Sequence, residues 1–311
     1  MNELATTNNR DLVLRSFNDD LYSRYIAFID AKPKTIETYT RALRQFFKYL
    51  HQHNITKPTR EDVIAYREHL KETCKPSTVQ NYIIVLRQFF KWAENEGLYK
   101  NVAQNVKGAD ISKEHKKDYL TGAQVKAIMG DIQQQDSLTA KRDYAIFALM
   151  ITGGLRTIEV VRANVEDMRP LGKNTVLYLQ GKGKDERASF VKLPAQVERA
   201  VRVYLKARGK VSGNQPLFAS TSNNNHNGRL TTRTISGIVK ERLRAAGFDS
   251  DRLTAHSLRH TAANLNLRNG GTLEETQQLL RHTNITTTMI YIKSIEREDN
   301  PSESRIANLI F

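Results

Sequence analysis

A chain of 311 residues with 39% hydrophobic and 26% charged side chains can bury one large or two ordinary cores, which excludes an intrinsically disordered chain. The formal charge of +15 points to a polyanionic partner, nucleic acid ahead of a membrane surface or an acidic protein, and both halves of the chain are net basic. The single cysteine, Cys74, excludes an internal disulfide. No apolar run is long enough to cross a bilayer, and the first residues lack the basic-then-apolar plan of a secretory signal, so the expectation is a cytoplasmic protein with no membrane partner.

From Phe17 the apolar positions Leu21, Tyr25, Phe28 and Ile29 keep a helical spacing that Lys32-Pro33-Lys34 stops. A second helix starts at Thr35, with Tyr39, Leu43, Phe46, Phe47 and Leu50 on one face. A third covers residues 59–72 and opens on a capping-box-like Thr59-Arg60-Glu61-Asp62. A fourth runs over residues 78–96 and repeats the second at a constant offset, since Leu43-Arg44-Gln45-Phe46-Phe47-Lys48-Tyr49 aligns with Leu86-Arg87-Gln88-Phe89-Phe90-Lys91-Trp92. Two such units are too few for a solenoid. They predict a compact helical domain over residues 16–106 with aromatic faces inward and Arg44, Lys48, Arg87 and Lys91 outward, either as a plain solvated face or as a DNA contact.

Residues 98–117 read as a connection, with an interdomain linker over 107–118. A second domain, 119–311, opens with Thr121 as a helix cap. Its residues 141–151 are nearly continuous apolar sequence and predict a buried helix. Residues 175–179 and 188–193 have strand composition around a Gly-Lys-Gly-Lys turn and predict a hairpin. Helices are expected at 196–208, 232–246, 255–267 and 273–280, with an Asn- and Ser-rich surface loop at 220–228.

Four short blocks carry the chemistry. They are Gly154-Leu155-Arg156-Thr157-Ile158-Glu159, Gly181-Lys182-Gly183-Lys184-Asp185-Glu186-Arg187, His256-Ser257-Leu258-Arg259-His260, and Leu280-Arg281-His282 continuing through Thr287-Thr288 to Tyr291. Arginines, histidines and a hydroxyl suit phosphodiester chemistry: cations neutralise phosphate, a histidine moves a proton and a hydroxyl can form a covalent bond. Each residue has a bland alternative, such as a salt bridge between Arg156 and Glu159 or a half-buried Tyr291. The His256 and His260 pair has zinc-ligand spacing, but Ser257 stands where a zincin needs glutamate and no cysteine or acidic cluster completes a site.

In this order and spacing the four blocks resemble the tyrosine recombinase (phage integrase) family and its small, two-domain Xer-like members. The family pattern is G-L-R-x-x-E, G-K-G-x-x-x-R, H-x-L-R-H and L-x-H-x-x-x-x-T-T-x-x-Y. Arg281 departs from it, since the family often has glycine there, and the departure bears on local packing more than on chemistry. The resemblance implies a mainly α protein: a helical, SAM-like core-binding domain, then an α+β catalytic domain with a small antiparallel sheet. It implies Arg156 and Arg259 on the phosphate, Lys182 as general acid with Lys184 its competitor, and His256 in proton transfer. His282 would bond the phosphate and Tyr291 would be the nucleophile, with Glu159 and His260 supporting. Arg44, Lys48, Arg87, Lys91 and Arg187 would contact DNA.

The implied reaction is site-specific recombination through a 3′-phosphotyrosine and a Holliday junction, with no cofactor and no metal. Its partners would be double-stranded DNA with inverted half-sites and a homo-tetramer, or a hetero-tetramer with a second recombinase. In the family the C-terminal helix passes to a neighbouring protomer. A type IB topoisomerase and a catalytically silent DNA-binding regulator are the alternatives.

Overall fold

The computed structural model describes residues 19–111, 118–181 and 186–311, and these fall into two compact units, one on either side of residues 112–117. The first unit is built from α1 (Asp19–Ile29), α2 (Pro33–Gln52), α3 (Arg60–Thr73) and α4 (Pro76–Asn95). Pro33 and Pro76 do not merely end the preceding segments, as the sequence reading had it for Pro33. Each opens the next helix at its first turn, behind an extended Lys32 or Lys75, because proline presets the helical φ and lacks an N–H that would go unpaired there. The expected capping box is present at Thr59, whose backbone N–H donates to Asp62 Oδ2 at 2.7 Å.

The repeated aromatic motif becomes the core of this unit. Phe46, Phe89, Phe90, Trp92, Tyr25 and Tyr66 are all buried. Their rings meet edge to face, Phe46 with Phe90 at 5.9 Å and Tyr25 with Phe89 at 5.3 Å, the arrangement favoured by ring quadrupoles. Each buried phenylalanine contributes roughly 1.5–3 kcal/mol of transfer free energy. Arg44, Lys48 and Lys91 are exposed and Arg87 half-buried. The segment expected to leave this unit at Leu98 stays in it: Val102, Ala103 and Val106 are buried with the aromatic core, and the Tyr99 hydroxyl donates to the Pro58 carbonyl at 2.9 Å.

The second unit contains α5 (Gly122–Gln133), α6 (Leu138–Gly153), α7 (Thr157–Arg162), α8 (Ala195–Arg208), α9 (Thr232–Ala245), α10 (Ala255–Arg268), α11 (Leu273–Leu280), α12 (Thr286–Glu298) and α13 (Ser302–Ile310). The apolar run read from the sequence is the buried centre of α6. Asp143 on that helix is buried between Arg142 at 2.9 Å and Arg242 of α9 at 2.8 Å, a paired and hydrogen-bonded charge in an otherwise apolar layer.

The sheet has three antiparallel strands in the order β1 (Met168–Leu171), β2 (Asn174–Leu179), β3 (Ser189–Leu193), with Leu177 opposite both Met168 and Val191. The expected hairpin is β2–β3. The sequence reading missed β1, since Met168-Arg169-Pro170-Leu171 is short and holds a proline, which a strand tolerates at a sheet edge. The architecture is thus mainly α with a small antiparallel sheet. Among the described residues no helix is long and apolar enough to cross a membrane.

Candidate active site

The site begins at the end of α6. Gly154 adopts φ +56° and ψ +37°, a left-handed turn suited to glycine, and a Cβ there would lie 2.7 Å from the Leu280 side chain. The turn delivers Arg156 to the N-terminus of α7, where its backbone N–H donates to Glu159 Oε2 at 2.8 Å and its guanidinium to Oε1 at 2.9 Å. The i,i+3 pairing of arginine and glutamate exists, and it forms part of a larger assembly.

Arg259 lies on α10, whose N-terminus is organised by Ser257. Its Oγ accepts from the Thr254 N–H at 3.0 Å and donates to the Arg252 carbonyl at 2.9 Å. Arg259 is 1% exposed, and its two terminal nitrogens donate to the carbonyls of Gly154 and Leu280. It therefore ties three segments together: the glycine turn, α10 and the end of α11. Burial, then the neighbouring Arg156 and Arg281, push its pKa down to about 9, so it remains a cation at neutral pH.

Arg281 caps α11 in the left-handed region, φ +54° and ψ +46°. Its guanidinium donates to Glu159 Oε2 at 2.9 Å, Gly153 O at 3.1 Å, Gly154 O at 3.2 Å and Leu279 O at 2.6 Å. Its departure from the family pattern thus brings a third cation into the cluster, beyond the packing change that the sequence implied.

Burial pushes the Glu159 carboxyl upward, but Arg281, the Arg156 N–H and the Arg156 charge outweigh that and hold it below its ordinary value of 4.5. A carboxylate with a depressed folded-state pKa stabilises the fold above its unfolded value and loses that contribution as the pH falls through the folded one. Thermal melts of the wild type should therefore drop more steeply below pH 4.5 than those of Glu159→Gln. At pH 7 the variant should be less stable by roughly 3 kcal/mol, because the largely buried Arg281 guanidinium and the partly exposed Arg156 lose their counter-charge.

His282 follows Arg281, and its Nδ1 lies 2.9 Å from Thr288 Oγ1. Burial first, then Arg259, Arg156, Arg281 and His256, push its pKa down to about 4, so it is neutral at physiological pH. His256 is exposed on α10, with its ring edge-on to His260 at 4.5 Å. His260 is buried, and its Nδ1 lies 2.6 Å from the Tyr291 hydroxyl. Tyr291, on α12, is 3% exposed and packs with Ala263 and Leu280. Burial pushes its pKa up to about 12 against the opposing pull of Arg259 and Arg156.

The structure thus brings together Arg156, Glu159, His256, Arg259, His260, His282 and Tyr291. Lys182 and its competitor Lys184 lie outside the described residues. Arg187 is exposed, and its Nε is 2.7 Å from buried Asp167 Oδ1. The Gly181 carbonyl, two residues past β2, accepts from Arg162 at 3.0 Å. Arg44, Lys48, Arg87 and Lys91 belong to the first unit. Sequence reasoning missed Thr288 as the His282 partner, although it sits in the same threonine-rich block, and it missed the charge role of Arg281.

A mainly helical protein with a three-stranded sheet and a cluster of arginines and histidines around a buried tyrosine has clear counterparts. Residues 118–298 match the phage integrase family and residues 20–97 the phage integrase N-terminal SAM-like domain, so the chain belongs to the phage integrase, or tyrosine recombinase, family. It is similar to tyrosine recombinase XerC of Caldanaerobacter subterraneus subsp. tengcongensis, 34% identical over 197 residues that make up 62% of this chain and 52% of that protein. It is also similar to tyrosine recombinase XerD of Lacticaseibacillus casei, 31% identical over 278 residues covering 87% of this chain and 92% of the relative. With several of the curated relatives the match spans about half to two thirds of their length, as in 49% and 64% for two of them. Among solved structures the fold resembles XerH site-specific recombinase bound to palindromic difH substrate, with TM-score 0.70, 20% identity and coverage of 89% of this chain and 80% of that one. It also resembles a lambda integrase (75–356) dimer bound to a COC′ core site, with TM-score 0.68, 17% identity and coverage of 86% and 94%.

Proposed function

We propose that this chain is a site-specific DNA recombinase that cleaves and rejoins double-stranded DNA through a 3′-phosphotyrosine. The observation that carries the reading is the gathering of Arg156, Arg259 and Tyr291 in one cluster: Arg259 holds the carbonyl of Gly154, two residues before Arg156, and both guanidinium charges act on the Tyr291 hydroxyl. Attack on a phosphodiester builds negative charge on the non-bridging oxygens, and fixed guanidinium groups meet that charge without reorganisation. Arg156, with a side chain 30% exposed, is the cation that a phosphate reaches first. Arg259 spends two of its N–H donors on carbonyls and keeps the others for the phosphate.

In the reaction the Tyr291 oxygen bonds to phosphorus, the bond from phosphorus to the 5′ oxygen breaks, and the 5′ oxygen takes up a proton. Lys182 is the proposed donor. The tyrosine proton leaves toward the His260 and His256 pair, and neutral His282 bonds a phosphate oxygen. Because Tyr291 is buried against His260 here, α12 must turn the hydroxyl outward before attack. Energy stored in the phosphotyrosine lets the same residues run backward onto a new 5′ hydroxyl, so the reading requires no cofactor.

DNA with inverted half-sites would be gripped by a core-binding domain over residues 16–106, with Arg44, Lys48, Arg87 and Lys91 on phosphates and base edges, and Arg187 beside the hairpin turn. Four protomers would assemble on two sites, as one protein or with a second recombinase. Helix α13 ends in Ile306, Leu309, Ile310 and Phe311, exposed by 58%, 87%, 68% and 104%, a surface suited to docking on a neighbouring protomer. Deleting residues 306–311 should weaken assembly on paired sites in gel-shift assays while leaving single-site binding intact; equal loss of both would contradict the docking.

The function is tested by mixing the protein with nicked duplexes that contain a randomised site, denaturing, and separating on gels. Salt-resistant, protease-sensitive attachment of DNA supports the reading. Tight native binding with no attachment would favour a DNA-binding regulator.

A further inference from the structure

Arg281 occupies a backbone position that disfavours it. At φ +54° a side chain crowds its own carbonyl, and helix C-termini of this kind are usually closed by glycine. The guanidinium is nevertheless drawn inward, with the side chain only 11% exposed, onto a carboxylate that is itself 1% exposed. Glu159 is shared: Oε1 takes Arg156, while Oε2 takes Arg281 and the Arg156 backbone N–H. Two cations therefore surround one carboxylate. With glycine at 281, Glu159 Oε2 would keep the Arg156 backbone N–H and lose its guanidinium partner.

We infer that Arg281 is a positioning residue that occupies one side of Glu159, fixing the carboxylate plane and sharing its charge, so that Arg156, bonded to Oε1, keeps part of its positive charge for the scissile phosphate. Its other donors, to the carbonyls of Gly153 and Gly154, hold the same turn that Arg259 grips, so one residue aligns both phosphate-facing arginines. Arg281 acts through Glu159. The inference rests on the recombinase reading for its catalytic consequence, but its structural half stands without it.

The test compares Arg281→Gly and Arg281→Lys with the wild type in single-turnover attachment to saturating nicked duplex. Glycine relieves the backbone and removes the charge, so the inference expects the fold and DNA affinity to be retained and attachment to slow by about 10- to 100-fold. Lysine keeps the charge without the fork and should recover part of the rate. His282 loses one neighbouring cation in Arg281→Gly, so the acid limb of the rate profile should move to higher pH. An unchanged rate and profile in Arg281→Gly would overturn the inference, as would a loss that merely tracks melting.

Melts of Arg281→Gly, Glu159→Gln and the double variant give a readout independent of activity. The inference expects the double to melt no lower than Glu159→Gln alone, and additive losses would contradict it. If the wild type attaches to no duplex while the melts show this coupling, the recombinase reading fails and the pairing stands.

Discussion

Tyr291→Phe should abolish covalent attachment to DNA, with a fall of at least about 10⁴-fold, because it deletes the atom proposed to bond to phosphorus. The ring is retained against Ala263 and Leu280, so the core does not collapse. The loss includes the buried contact of the hydroxyl with His260 Nδ1 at 2.6 Å, which costs about 1 kcal/mol of stability. Affinity for DNA should stay within about threefold, since phosphate contacts by basic residues dominate it. Attachment assays, melts and gel shifts on the same preparations separate these effects. Residual attachment near the wild-type level would place the nucleophile elsewhere.

Arg259→Lys should be the next most severe, for a different reason. Arg259 reaches the carbonyls of Gly154 and Leu280 at once through a planar fork, and an ammonium group reaches one of them. The other carbonyl is left buried without that donor, at about 1–3 kcal/mol. Because the glycine turn and the end of α11 are both referenced to this guanidinium, Arg156 and His282 shift with it. The expected result is a fall in single-turnover cleavage of about 10²- to 10³-fold, the range for removing one donor to developing charge. Gel-shift affinity should change much less. A cleavage rate within tenfold of wild type would mean that Arg259 serves the fold alone.

Much of this arrangement was legible in the sequence because it rests on local rules. Thr59 caps α3 and Thr121 caps α5 as their side-chain chemistry dictates, and the Phe46-Phe47 and Phe89-Phe90 echo predicted the core of the first unit. What was hidden depends on tertiary pairing. Strand β1 is specified by its partner β2 more than by its own four residues. Residues 98–106 look polar and irregular, yet Val102, Ala103 and Val106 find a core. Arg281 reads as a poor substitute for glycine until Glu159, 122 residues away in the chain, is seen against it.

The central claim is that Tyr291 forms the bond to DNA. It is tested most directly by digesting the covalent adduct with protease and nuclease and mapping the nucleotide-bearing peptide by tandem mass spectrometry. The account predicts the residue 291 peptide, carrying a nucleotide joined through its 3′ phosphate, with a free 5′ hydroxyl on the released strand. A nucleotide on any other side chain, or one joined through a 5′ phosphate, would contradict it.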